Sequence, residues 1–307
     1  MPFGFTVMVS TPTARLPFPN DRILAVSLVI FTAALLLLPV GCGPGSLLAS
    51  GSEDEMVFHR QSDPIRGLDP AAVSDVPSIL AIARVYEGLL QYSYLERPYR
   101  VEPLLADGLP EVSGDGLTYR FKVREGVYFQ DDVCFTDSGG KGRELVAEDF
   151  VYSIKRIADI KNRSPGFWVF DDRILGLDAW RSKTADLECP TDYDHGVAGL
   201  RALDHNSLEI RLKRPYPQLL WALCMHYGFV VAREAVEYYG GQFRNHPVGT
   251  GPYVLEDWQR NYRIEFARNP KWIETGRQEV FPALGGPGDD EQGLLADAGK
   301  AIPFIDR

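Results

Sequence analysis

Thr118-Tyr119-Arg120-Phe121-Lys122-Val123 alternates without a break: Tyr119, Phe121 and Val123 point one way, Arg120 and Lys122 the other. Successive side chains on a strand leave on opposite faces, so this two-residue period marks a strand with one face in the core and one in water. The pattern returns at Leu208, Ile210 and Leu212, and at Ile264 and Phe266. Helical spacing lies between these strands. Residues 148–158 place Phe150, Val151, Ile154 and Ile157 on one face, and helices are expected near 217–225 and over 232–239. Upstream, Ser74 or Asp75 can cap a helix that has Pro77 in its first turn and Ile79, Ile82, Tyr86 and Leu89 along one side. Residues 56–60 read as one more short strand. Strands and helices interleave, so the fold class is α/β.

The first forty residues are of a different kind. Arg15 and Arg22 precede an uncharged stretch, residues 23–40, that runs into Gly41-Cys42. A positive flank, an apolar core and a small residue before the cut describe a secretory signal, and a Cys directly after it describes a lipidated mature N-terminus. Pro39 departs from the Leu usual three residues before such a Cys. A membrane-spanning anchor is the other reading, since 18 residues approach the length of a span. Both put the remainder outside the cytoplasm. Residues 42–52 read as a flexible tether.

A net charge of -10 with no basic run argues against nucleic acid as a partner. Three cysteines follow Cys42. Cys224 sits in an apolar run and reads as a buried small hydrophobe, while Cys134 and Cys189 lie in polar stretches and are the candidate pair for a single disulfide. No phosphate-cradling loop, dinucleotide fingerprint, nucleophile elbow or zinc helix appears in the sequence. Cys189 with His195, or Cys224 with His226, has no structural zinc spacing. Asp131-Asp132 and Asp171-Asp172 are adjacent pairs, which suits solvated turns better than the facing carboxylates of a hydrolase. No catalytic residue, metal or cofactor is assigned.

Several motifs carry a family resemblance. They are Leu68-Asp69-Pro70, Tyr86-Glu87-Gly88-Leu89-Leu90, the strand at 119–124, and Ala147-Glu148-Asp149-Phe150-Val151-Tyr152-Ser153 with Lys155-Arg156. Gly199-Leu200-Arg201-Ala202-Leu203-Asp204, Pro247-Val248-Gly249-Thr250-Gly251-Pro252-Tyr253 and Arg268-Asn269-Pro270 complete the series. In this order, over residues 56–275, the chain resembles the family 5 extracytoplasmic solute-binding proteins of ABC transporters, the oligopeptide binders. Most of these residues read as framework: Glu87-Gly88 as a helix end, and Gly249 and Gly251 as positions of unusual backbone conformation.

The resemblance implies a type II periplasmic-binding-protein fold of two lobes, of which this chain holds lobe one. Residues 53–95 and 205–275 would form its core, 96–204 an accessory subdomain, and 276–307 a linker toward a second lobe. It implies a monomer that captures peptides or another small solute and hands them to ABC permease subunits, anchored by lipid on Cys42 at the periplasmic or cell-surface side. In the half present, Ser74, Asp75 and Val76 would bond an extended peptide main chain, a mode that gives affinity without side-chain specificity. Capping a helix is compatible with that role. Phe167 and Trp168, after Ser164-Pro165-Gly166, would supply the aromatic lining of the cleft. A surface lipoprotein acting as an interaction or sensory module is the alternative function.

Overall fold

The computed structural model describes residues 63–94, 98–277 and 298–303. The expected signal, Cys42, the tether, the strand at 56–60 and most of the terminal linker lie outside them. In chain order the elements are α1 (Val76–Ile82), β1 (Leu90–Tyr92), β2 (Val101–Pro103), β3 (Glu111–Val112), β4 (Thr118–Lys122), α2 (Ala147–Ala158) and α3 (Leu177–Lys183). There follow β5 (Leu200–Ala202), β6 (Ser207–Arg211), α4 (Leu219–Leu223), α5 (Arg233–Tyr239), β7 (Tyr253–Gln259), β8 (Arg263–Arg268) and α6 (Pro270–Glu274).

The alternating stretch Thr118–Lys122 forms β4. Tyr119 and Phe121 are buried and Arg120 and Lys122 exposed, as the alternation requires. It pairs antiparallel with β6, setting Phe121 opposite Leu208 and Tyr119 opposite Ile210, in a four-stranded sheet of order β3-β4-β6-β5. The other face of β6 is covered at its centre. Glu209 is buried between Arg120 at 3.0 Å and Arg201 at 2.5 Å, one from each neighbouring strand. Two guanidinium groups offset the cost of burying that carboxylate.

Helix α2 packs on β5 and β6 through the expected apolar face, and its polar face is buried as well. Glu148 is exposed, and each buried charge on the helix has a partner. Asp149 reaches back to the N–H of Val146 at 2.9 Å, closing the first turn, and accepts both ends of the Arg143 guanidinium at 2.7 and 2.8 Å. Lys155 donates to the Tyr193 carbonyl at 2.8 Å, and Arg156 forks onto Asp69 at 2.9 and 3.0 Å. Asp69 of the Leu-Asp-Pro motif therefore serves as the anchor of a long-range ion pair.

Several expectations need correction. Helix α1 stops at Ile82 and does not continue to Leu89. Residues 83–85 tighten into turns because the Val85 backbone is claimed by another segment: its carbonyl accepts from Gly251 N at 2.8 Å. A Cβ on Gly249 would sit 2.0 Å from that carbonyl oxygen, and one on Gly251 would sit 2.7 Å from the Val85 carbonyl carbon. Close approach of two backbones, rather than unusual dihedrals, is what demands glycine there.

The expected border at 204/205 lies in the connection between the paired strands β5 and β6, and that at 95/96 lies outside the described residues. Past the expected border at 275/276, contact with the body continues at Arg277. Arg277 forms a buried ion pair with Glu87 at 2.8 Å, and Trp272 Nε1 donates to Ile302 O at 3.0 Å. Glu87, expected at a helix end, is the acceptor for both Arg277 and the Thr250 hydroxyl.

Candidate functional site

The first candidate segment follows the Leu-Asp-Pro anchor. Val73 is buried, Ser74 is exposed, and Val76 is 66% exposed although it opens a helix. Asp75 caps α1: its Oδ1 accepts from Ser78 N at 3.0 Å. Ser78 Oγ in turn accepts from Arg66 N at 2.9 Å, tying the helix start to the incoming chain. The result is a short, largely exposed step on a fixed base.

Phe167 and Trp168 lie in a tight 3-10 turn, Phe167–Val169. Val169 and Phe170 are buried and hold the turn down, while Trp168 is 60% exposed. Phe167 is half-buried beneath the Arg181 guanidinium, 3.9 Å from its ring centre. Gly166 allows the turn to seat closely, since a Cβ there would fall 2.1 Å from Tyr227 Cδ1.

One element supports both segments. The turn His226–Gly228 places His226 Nε2 3.2 Å from the Val73 carbonyl and the Tyr227 ring against Gly166. Burial pushes the imidazole pKa down, so the ring is neutral at neutral pH. Val73 and Gly166, the residues just before the two candidate segments, thus both rest on one buried turn. Sequence reasoning missed His226, because the contact spans 153 residues and no local pattern announces it. The Tyr227-Gly228 pair after an apolar run was the available signal.

The candidate disulfide is not formed. Cys134, Cys189 and Cys224 are all free. Cys134 is buried in the core beside Asp132, which accepts its N–H at 2.9 Å, and burial raises its thiol pKa strongly. Cys189 is exposed, and its neighbours are Asp186 and Lys161. Cys224 is buried as expected, with its thiol pKa pushed up to about 12 by burial. Among the described residues no group of three or more His, Cys, Asp or Glu is placed to hold a metal ion. Three of the four paired aspartates have structural partners: Asp131 takes Lys141 at 2.7 Å and Lys271 at 3.4 Å, Asp132 the Tyr239 hydroxyl at 2.9 Å, and Asp172 Lys213 at 3.0 Å.

The chain is 31% identical over 192 residues to the peptide transport periplasmic protein SapA of Salmonella typhimurium, covering 61% of this chain and 31% of that protein. It is 28% identical over 206 residues to the glutathione-binding protein GsiB of Escherichia coli, covering 67% and 32%. The chain thus spans about a third of the length of these curated relatives. The structure of the murein tripeptide binding protein MppA of Escherichia coli superposes with a TM-score of 0.56 at 22% identity, over 77% of this chain and 43% of that one. That likeness establishes the periplasmic-binding-protein fold over this part. The model for "Bacterial extracellular solute-binding proteins, family 5 Middle" matches residues 100–289. With more than half of its length matched, the chain belongs to the family 5 bacterial extracellular solute-binding proteins, a family of binders and not of enzymes.

Proposed function

We propose that this chain supplies one wall of the ligand cleft in the substrate-binding component of an ABC importer, which captures peptides outside the cytoplasmic membrane and delivers them to a permease. Ser74, Asp75 and Val76 offer main-chain groups to the extended peptide, and Phe167 and Trp168 line the cleft. A second lobe closes over the ligand, and lipid on Cys42 holds the assembly at the membrane. The observation that carries this reading is the shared seat of the two segments. An exposed backbone step and an exposed tryptophan, distant in sequence, rest on one buried turn. Support for a peptide rather than another solute comes from the relatives, one named for peptide transport and one for a murein tripeptide. Main-chain pairing with an aromatic lining suits a ligand class defined by its backbone.

Saturation-transfer NMR on the purified full chain tests the reading, because it detects weak ligands. Tri- to pentapeptides are expected to receive transfer, less so with Trp168→Ala, while free sugars and single amino acids receive none. Equal transfer to sugars, or none to peptides, contradicts the assignment.

A further inference from the structure

Val73 and Gly166 rest on the same turn by different kinds of contact. His226 holds the first segment by a hydrogen bond, with Nε2 3.2 Å from the Val73 carbonyl oxygen. A carbonyl only accepts, so Nε2 carries the proton and Nδ1 is bare. The ring is 8% exposed, and its desolvation favours that neutral form. Tyr227 holds the second segment by packing, its ring filling the place where a side chain at residue 166 would begin. The His226 and Tyr227 rings are themselves in contact, centroids 3.9 Å apart and tilted by 43°. In an interior packed without voids, one ring cannot shift without the other.

We propose that His226 is the positioning residue of the ligand-facing surface: its Nε2–H sets the backbone of residues 73–76, and through Tyr227 it sets the seat of residues 166–168. This rests on the reading of those segments as ligand-facing. The Val73 carbonyl immediately precedes exposed Ser74, and Asp75 is fixed from the other side by its cap to Ser78 N. The step between them is pinned at both ends. A backbone that is to pair with a peptide gains affinity from being held in its bound orientation beforehand, and the imidazole supplies that restraint.

The test uses the full chain labelled with nitrogen-15. In the wild type, long-range ring correlations should show the Nε2-protonated tautomer of His226; an Nδ1-protonated ring overturns the proposal. His226→Asn is too short to reach Val73 and His226→Phe cannot donate, whereas His226→Gln places an amide N–H where Nε2 stood. Asn and Phe are expected to move the amide signals of Ser74, Asp75 and Val76 together with the Trp168 indole signal. They should weaken binding of the tri- to pentapeptide mixture about fivefold to tenfold. Gln should restore both. Gln behaving like Phe, or residues 74–76 moving without Trp168, overturns the proposal. A wild type that binds no peptide defeats the functional reading alone, and the ligand-free signals and the tautomer still decide the role of His226.

Discussion

At the scale of single residues, the stabilising chemistry lies in buried charges held in ion pairs. Glu87 receives Arg277 on both oxygens and the Thr250 hydroxyl at 2.8 Å, while the Arg277 guanidinium stacks on Trp272 at 3.6 Å. Removing one partner leaves the other charged in a dry site. Arg277→Met is therefore expected to destabilise the chain by about 3–5 kcal/mol, read by urea unfolding. Glu87→Gln with Arg277→Met should recover part of that loss, and equal losses in the single and double variants would contradict the pairing. Gly249 gives a steric counterpart. Its missing Cβ would meet a backbone carbonyl at 2.0 Å, which cannot step aside, so Gly249→Ala should cost at least about 1–3 kcal/mol. Cysteine reactivity checks the free thiols: a maleimide should label Cys189 at once in the native chain, and Cys134 and Cys224 only after unfolding. A non-reducing peptide map containing a Cys134–Cys189 bridge would refute that assignment.

Among the elements, those whose apolar residues recur at a regular period were the ones legible in sequence. Strand β4 shows its burial in its alternation, and α2 shows its apolar face in Phe150, Val151, Ile154 and Ile157. Strand β6 carries the same alternation yet buries Glu209, because two arginines from neighbouring strands close over it. Strand β7 was missed: it belongs to a two-stranded sheet, is partly exposed on both faces, and so has no period to read. Helix α1 was drawn too long because Tyr86 and Leu89 are buried at helical spacing by contacts other than a helix. The Glu209 cluster predicts a pH dependence. Hydrogen bonds from Arg201 and Arg120 hold its carboxyl below the usual 4.5, so the folded form binds its proton less readily than the unfolded form. That stabilisation is complete above 4.5 and is lost as pH falls through the depressed value. Glu209→Gln should accordingly flatten the acid limb of the stability curve between about pH 5 and 3. An unchanged limb would show that the pair contributes nothing measurable there.

For the whole molecule, the family was legible from ordered motifs, and the structure shows that most of those motifs are framework. Asp69 anchors Arg156, Glu87 anchors Arg277, and Gly249 and Gly251 admit the Val85 backbone. The proposed ligand-facing surface was legible only as two separate segments, at 74–76 and at 167–168. Their common support on His226 and Tyr227 is a long-range fact that no local window contains. The central claim is that an extended peptide lies along these two segments. Photo-crosslinking with a diazirine-bearing tetrapeptide, followed by peptide mapping, tests it most directly. The account predicts adducts within residues 73–76 and 166–168, suppressed by excess unlabelled peptide. Competed adducts confined to another exposed site, such as Tyr262 at the β7–β8 tip or the β3 edge, would contradict it.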